Sequence, residues 1–196
     1  MNNINLISFV GPSGSGKSSA ARLAANLLEE KGVIAVRKDV AEPLRKIQKN
    51  AYQLFGRPDP GHIDSGTFLQ DPELLSFLAK HFEAFLGNIF AKEIQRLKLE
   101  ASEYLDASKA VVFINADCRN NCYQTLRNLD FLFIKIETTE EIRKQRLQRH
   151  DGKIISASVD ATNEIVTDII INNDGTLSEL KDKINTVVSD ILTKSQ

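Results

Sequence analysis

Eight residues near the start of the chain have the types and the spacing of a phosphate-binding loop. The segment from Gly11 to Ser18 reads Gly-Pro-Ser-Gly-Ser-Gly-Lys-Ser and fits the pattern G-x-x-x-x-G-K-[ST] without a mismatch. Its glycines allow the backbone to curl so that successive N–H groups point at phosphate oxygens. Lys17 can then reach the β- and γ-phosphates of a nucleoside triphosphate, and the Ser18 hydroxyl can bind Mg²⁺.

The residues around this segment, which we call the P-loop, agree with that interpretation. An apolar run at 4–10 precedes it and predicts a strand, and residues 19–31 follow it with helical spacing. A helix N-terminus adds partial positive charge where phosphates would lie. The alternative is a turn rich in Gly and Ser, which does not explain the complete match. We predict a site for ATP and Mg²⁺ that uses Gly11, Ser13, Gly14, Ser15, Gly16, Lys17, Ser18 and Ser19.

Composition predicts one ordinary globular domain. The 196 residues are 42% hydrophobic and 26% charged, which suits a single core. The net charge of −1 gives no global signal for nucleic-acid binding. No apolar run approaches the roughly 20 residues that cross a bilayer, so we expect no membrane association and a cytoplasmic location. Cys118 and Cys122 are too few for a disulfide framework, and we interpret them as reduced, packed thiols.

Alternating apolar and amphipathic segments predict an α/β fold, a three-layer sandwich with a parallel five-stranded sheet. The predicted strands are 4–10, 33–36, 111–115, 131–136 and 169–171. The predicted helices are 19–31, 41–54, 72 to about 107, 121–129, 140–150 and 176 to about 192. Capping boxes at 138–141 and 176–179 open the last two helices, and a long loop spans 56–72. The apolar face of helix 72–107 serves either the core or a dimer interface, so a monomer and a homodimer both stay open.

Residues that follow the strands of a parallel sheet meet at one edge, where the P-loop must also lie. Asp117 ends an apolar strand and suits a Mg²⁺ ligand or an acceptor contact, or else it is an acidic loop residue or helix cap. Arg119 lies two residues on and can clamp an acceptor phosphate. Asp39 follows the second strand, where it can orient an attacking oxygen or, with equal support, cap the next helix.

Three arginines recur at every third residue along the helix predicted at 140–150: Arg143, Arg146 and Arg149. A charged helix face is usually only solvated. A phosphotransferase, however, needs cations that neutralise the transferring phosphoryl group and close over it. We therefore favour a lid role for this helix, with Arg146 and Arg149 as the better candidates.

Taken together, these residues resemble those of nucleotide-type P-loop kinases, in particular phage-type deoxynucleoside monophosphate kinases and dephospho-CoA kinases. The resemblance is carried by the P-loop, by residues 39–45, by the strand-end Asp117-x-Arg119 and by Arg146-x-x-Arg149. Residues 167–176 also resemble the strand and turn that pack beside adenine in these families. Only the P-loop is highly specific by itself, and the other segments contribute in combination.

The resemblance implies transfer of the ATP γ-phosphoryl group to a small acceptor, with a (deoxy)nucleoside monophosphate as the first candidate. It implies one kinase domain over residues 1–196, with an acceptor-binding region at about 39–105 and a lid at about 143–160. The residues given catalytic roles are Lys17, Asp39, Arg119, Arg146 and Arg149. Asn173 and Gly175 would line adenine, and Ser18 and Asp117 would position Mg²⁺.

Two other functions stay open at this point. Dephospho-CoA or another small metabolite is an alternative acceptor, although dephospho-CoA kinases usually carry D-x-D where this chain has only Asp39 after Arg37 and Lys38. A nucleotide-binding switch without catalysis is the alternative from another class. The absence of an Asn-Lys-x-Asp guanine motif in the sequence argues against that switch.

Overall fold

The computed structural model of the chain describes residues 4–56, 71–86, 92, 93, 95, 96, 99, 110–151 and 165–194. The strands are β1 (Ile4–Val10), β2 (Ile34–Arg37), β3 (Val111–Asn115), β4 (Leu132–Glu137) and β5 (Ile169–Asn172). The helices with defined bounds are α1 (Lys17–Glu30), α2 (Glu42–Leu54), α3 (Pro72–Leu86), α4 (Asn120–Arg127), α5 (Glu140–Asp151) and α6 (Leu177–Lys194). Apart from α3, these bounds differ from the predicted ones by no more than two residues.

The five strands form one parallel sheet in the order β2-β3-β1-β4-β5, so the predicted α/β fold is confirmed. Strand β1 lies at the centre, where Ile7 pairs with Ile114 of β3 and Leu132 of β4. Every residue of β3 is buried, as expected for a strand covered on both faces. The P-loop follows the central strand and has a strand on either side.

Helices cover both faces of this sheet. On one face, α1 and α6 pack against each other and against the strands, and this core includes Ala24, Leu28 and Ile184. Alanine at the contact face of α1 allows the helix to approach the sheet closely. On the other face, the ring of Tyr123 from α4 meets the edge of the Phe133 ring at 5.0 Å. The three layers hold β1 and α1 in place, and the P-loop joins these two elements.

The chain divides into two compact units, residues 1–39 with 96–196, and residues 40–95. The first unit contains the sheet, and the second contains α2 and α3. In the second unit, Asp71 caps α3 by accepting from the Leu74 N–H at 3.0 Å, and it accepts from the Tyr52 hydroxyl at 2.7 Å. These bonds hold the pKa of Asp71 below its usual value. The role of residues 39–105 in acceptor binding stays a prediction.

The apolar face predicted for the helix after residue 72 is only partly buried. Phe77 and Phe85 are 61% and 75% exposed, and Leu86 is also exposed. The rings of Phe77 and Phe85 instead lie against His81, at 5.6 and 4.8 Å between centroids. Helical spacing identifies an apolar stripe but not what covers it, so the choice between core and dimer interface stays open. The predicted helix beyond Leu86 and the predicted loop at 56–72 lie mostly outside the described residues.

One of the two predicted capping boxes is confirmed, and the other is wrong, because a single cap one residue later takes its place. At α6, the Thr176 N–H donates to Oε2 of Glu179 at 2.8 Å, and the Glu179 N–H donates back to Oγ1 of Thr176 at 3.3 Å. At α5, Thr139 rather than Thr138 accepts from the first turn, through the Ile142 N–H at 3.5 Å. Within the described ranges, no helix is long and apolar enough to cross a membrane.

A polar contact fastens the entry of β5 to α4 and β4. Nη1 of Arg127 donates to both carboxylate oxygens of Asp168, each at 2.9 Å, and Nη2 donates to the Val166 carbonyl at 2.7 Å. Asp168 also accepts from the Phe133 N–H at 2.7 Å. The guanidinium of Arg127 lies 4.7 Å from the centroid of the Phe133 ring. This contact fixes the edge strand that leads to the turn after β5.

We expect Asp168→Asn to destabilise the protein, because the amide cannot accept the same set of charge-assisted bonds from Arg127. The free energy of unfolding should fall by about 1–2 kcal/mol, since the pair is partly exposed to solvent. Urea denaturation followed by circular dichroism measures the change. The control is Asp182→Asn on the exposed side of α6. Equal stability of the two variants would contradict a structural role for the contact.

Candidate nucleotide-binding site

The P-loop adopts a backbone conformation that only glycine tolerates at three positions. Gly11, Gly14 and Gly16 have φ angles of 141°, 81° and 102°. A Cβ on Gly11 would collide with the carbonyl of Ile136 in β4, and a Cβ on Gly14 would lie 3.0 Å from the Arg143 and Leu147 side chains. The glycines of the motif therefore permit both the curl of the loop and the close approach of β4 and α5.

The cationic and hydroxyl groups of the motif lie at the N-terminus of α1. The ammonium group of Lys17 donates to the Pro12 carbonyl at 2.7 Å, so the side chain folds back over the loop. Ser18 is exposed in the first helical turn. Gly16 is the N-cap residue, and no side chain caps α1 there. The first turn of a helix leaves main-chain N–H groups without intrahelical partners, and the macrodipole favours an anion there.

A second group of residues supports the P-loop through the Ser15 carbonyl. The Asn173 side chain, 6% exposed, donates to this carbonyl from Nδ2 at 2.7 Å. Arg146 of α5 donates to it from Nη1 at 3.5 Å, and its Nη2 donates to the Asn173 carbonyl at 2.9 Å. The structure therefore brings Arg146 and Asn173, both predicted site residues, to one peptide of the P-loop.

The turn after β5 is held in a fixed conformation by Asp174. Its carboxylate accepts from the Asn172 side chain at 2.6 Å, the Thr139 N–H at 2.8 Å and the Thr138 hydroxyl at 2.9 Å. These bonds, the one from Asn172 foremost, hold the pKa of Asp174 below its usual value. Thr138 lies one residue before Thr139, which accepts from the first turn of α5. Gly175 follows, where a Cβ would collide with the carboxylate of Glu179.

The predicted lid is described only in part. Arg143 is buried, with 9% of its surface exposed. A Cβ built on Gly14 would lie 3.0 Å from Cγ of Arg143, so this side chain lies beside the P-loop. Sequence reasoning favoured Arg146 and Arg149 and did not select Arg143 as a residue at the P-loop. The regular spacing of the three arginines was the only feature of the sequence that pointed to it. The Arg149 side chain and residues 152–160 lie outside the described part of the chain.

Asn115 connects three strands at the edge of the sheet beside the P-loop. This side chain is 2% exposed, and its Oδ1 accepts from the Ser8 hydroxyl at 3.0 Å and the Asp117 N–H at 3.3 Å. Its Nδ2 donates to Oδ1 of Asp117 at 2.8 Å and to the Lys38 carbonyl at 3.4 Å. Sequence reasoning missed Asn115, although a polar residue that ends an apolar strand is the signal that identifies it.

The two predicted carboxylates lie close to one another along the sheet edge. Oδ1 of Asp39 accepts from the Ala116 N–H at 3.3 Å, directly before Asp117. Ser8 of β1 pairs with Asn115 of β3. Two residues further along the chain from each, Asp117 comes level with Val10, the last residue before the P-loop. Both carboxylates are thus carried by strand ends whose backbone is fixed, as acceptor or metal contacts require.

Arg119 has an unsatisfied charged group. Its Nη1 is buried and has no hydrogen-bond acceptor among the described residues. A buried guanidinium nitrogen without an acceptor is costly, and an anion bound to it would remove that cost. The residue is the N-cap of α4, so its backbone is fixed by the helix that follows Asp117. The contact of Arg119 to an acceptor phosphate stays a prediction.

The cysteines are free and buried, as predicted. The Sγ atoms of Cys118 and Cys122 lie 3.6 Å apart, and Cys122 Sγ also accepts from the Arg119 N–H at 3.2 Å. The hydrogen bond to Cys122 and burial both raise the pKa of the Cys118 thiol, so it stays protonated. Within the described residues no His, Cys, Asp and Glu side chains form a group suited to a metal ion. A Mg²⁺ ion at this site would therefore rely on phosphate oxygens besides Ser18 and Asp117.

The fold is shared with solved structures of kinases. No family model matches the sequence, and no curated protein matches it. The APS kinase CysC of Mycobacterium tuberculosis, solved with AMPPNP and APS, is 18% identical with a TM-score of 0.53, over 98% of this chain and 99% of that one. Dephospho-CoA kinase from Campylobacter jejuni is 16% identical with a TM-score of 0.50, over 100% of both chains.

A third solved structure, TT1252 from Thermus thermophilus, is 19% identical with a TM-score of 0.54, over 96% of this chain and 98% of that one. Similarity at these identities shows the fold alone. The chain therefore shares its α/β fold with these solved structures.

We expect Gly16→Ala to abolish nucleotide binding. The added Cβ would collide with Nδ2 of Asn173, and the backbone of residue 16 has a positive φ that alanine rarely adopts. The matched control is Gly32→Ala at the other end of α1, where φ is 76° and no atom lies within 4 Å of the added Cβ. That change should cost about 1–2 kcal/mol of stability and leave binding intact. Calorimetric titration with Mg²⁺·ATP measures both. Wild-type affinity in Gly16→Ala would contradict this account of the P-loop.

Proposed function

We propose that the chain is an ATP- and Mg²⁺-dependent phosphotransferase that transfers the γ-phosphoryl group to a small nucleotide, in the first place a (deoxy)nucleoside monophosphate. The observation that carries the proposal is a complete P-loop next to a strand end that bears Asp117 and Arg119. The loop accounts for a phosphoryl donor. Nη1 of Arg119, buried and without an acceptor in the part of the chain that the structure describes, supports an anionic acceptor.

The donor would bind through groups that the fold already holds in place. Main-chain N–H groups of the P-loop and of the first turn of α1 would surround the β-phosphate. The ammonium group of Lys17, 2.7 Å from the Pro12 carbonyl, would turn from that carbonyl to the β- and γ-phosphates. Ser18 and Asp117 would hold Mg²⁺, which supplies neutralisation of the charge on the phosphate oxygens.

The acceptor would bind beside the ends of β2 and β3. Arg119 would hold its phosphate, and Asp39 would orient the attacking oxygen or take its proton. Phosphoryl transfer depends mainly on positioning and charge stabilisation, and these residues supply both. Arg149 stays our candidate for a lid cation, because Arg146 donates to main-chain carbonyls of the P-loop and the β5–α6 turn.

Other acceptors are distinguished by experiment. The similarity to dephospho-CoA kinase makes dephospho-CoA a candidate, against which stands the sequence Arg37-Lys38-Asp39, with one acid where D-x-D is usual. A nucleotide-binding switch would bind ATP and show no turnover that depends on an acceptor. We propose a small-molecule acceptor, with neither membrane nor nucleic acid as a partner, and we leave the choice between monomer and homodimer open.

We expect Lys17→Ala to lower turnover by about 100-fold or more, because it removes a positive charge that stabilises the transition state. The assay is ADP release with ATP and Mg²⁺ over a panel of ribo- and deoxynucleoside monophosphates and dephospho-CoA. Lys31→Ala, an exposed lysine at the other end of α1, is the control and should match the wild type. Near-normal turnover in a folded Lys17→Ala protein would refute the mechanism.

Arg119→Ala should separate acceptor binding from ATP binding. We expect the KM for the acceptor to rise by about tenfold or more, because a charge-assisted contact to its phosphate is lost. The KM for ATP should change much less. Arg22→Ala on the exposed side of α1 controls for the loss of a positive charge. An unchanged acceptor KM would mean that Arg119 does not bind the acceptor.

A further inference from the structure

We infer that Asn173 and Arg146 act as positioning residues that orient one peptide of the P-loop toward the phosphates. We call this pair the Ser15 clamp, because both side chains donate to the Ser15 carbonyl. The inference rests on the proposed triphosphate site and assigns these two residues a different role within it. Neither residue needs to contact ATP for the clamp to act.

The contacts that define the clamp connect segments far apart in the sequence. Asn173 and Ser15 are separated by 158 residues, and their bond of 2.7 Å is buried. Arg146 reaches the same carbonyl and also the carbonyl of Asn173, so it holds both partners of that bond. The Asn173 N–H donates to the Glu137 carbonyl at 2.7 Å, which fixes the residue to the end of β4. The clamp thus has a rigid support.

Peptide planarity explains how a bond to a carbonyl affects phosphate binding. The Ser15 carbonyl and the Gly16 N–H belong to one trans peptide and point in opposite directions. Because Asn173 and Arg146 bind the Ser15 carbonyl oxygen, that oxygen points toward them. The Gly16 N–H of the same peptide therefore points away from these two side chains. Gly16 has a φ of 102° and no side chain, so nothing in its own structure would keep this peptide from turning.

This role differs from the one predicted by resemblance, in which Asn173 lines adenine and Arg146 stabilises the transition state. Nδ2 of Asn173 is directed at the P-loop backbone, and a Cβ on Gly16 would collide with that nitrogen. The contact therefore lies at the phosphate end of the proposed site. The two roles predict different ligand dependence, because only one of them needs a base.

The test compares Mg²⁺·ATP with inorganic tripolyphosphate, which contains the phosphates but no base. Calorimetric titration gives the affinity of wild type, Asn173→Ala and Asn173→Asp for both ligands. The clamp predicts that each variant binds Mg²⁺·ATP at least about tenfold more weakly than the wild type, since one buried hydrogen bond is lost. Within each variant, the affinity for tripolyphosphate should fall by the same factor. Weaker ATP binding with unchanged tripolyphosphate binding would overturn the clamp and support the adenine role.

Further variants keep the test decisive. Arg146→Ala should weaken binding of both ligands, and Asn173→Ala with Arg146→Ala should lose less than the sum of the two, because both act on one carbonyl. Should Asn173→Asp fail to fold, Arg146→Lys, which keeps the charge, tests the same carbonyl. Lys183→Ala, which removes a bond of 2.8 Å to the neighbouring Asn172 carbonyl, should bind both ligands like the wild type.

The result also separates the clamp from the phosphotransferase proposal. A wild type that binds tripolyphosphate but shows no turnover with any acceptor would refute the phosphotransferase and leave the clamp standing. A wild type with catalytic turnover, together with Asn173 variants that bind tripolyphosphate normally, would refute the clamp alone. A wild type that binds neither ligand would refute both.

Discussion

A loop that binds phosphate through its backbone must keep N–H groups unpaired while the peptides that carry them stay fixed. Side chains of the loop cannot do this, because Gly11, Gly14 and Gly16 occupy the positions where the backbone curls. The surrounding structure must therefore hold the loop. The central strand β1 and helix α1 fix its ends, and α5 and the turn after β5 contact its middle.

The same requirement explains the polar residues within an apolar sheet. Ser8 and Asn115 are buried on neighbouring strands, and a buried polar group is costly unless it is hydrogen-bonded. Here Ser8, the Lys38 carbonyl and Asp117 satisfy the amide group of Asn115. The network connects β1, β2 and β3 at their carboxyl ends. It gives the carboxylate of Asp117 a defined direction beside the P-loop.

Local patterns predicted the strands, the P-loop and the second capping box, because each depends on residues close together in the chain. Contacts between distant segments could not be predicted in this way. The bond from Asn173 to Ser15 and the bond from Thr138 to Asp174 depend on the order β2-β3-β1-β4-β5 and on side-chain directions. Periodicity likewise shows which residues share a face but not what packs against it, so the exposure of Phe77 did not follow from the sequence.

The proposed donor site is built on the P-loop and the first turn of α1, and the proposed acceptor site on Asp39 and Arg119. Mass spectrometry of each nucleoside monophosphate after incubation with enzyme, ATP and Mg²⁺ addresses the acceptor directly. We predict that one nucleotide gains a single phosphoryl group in step with ADP formation. ATP binding without a phosphorylated product from any nucleoside monophosphate would contradict the proposed reaction.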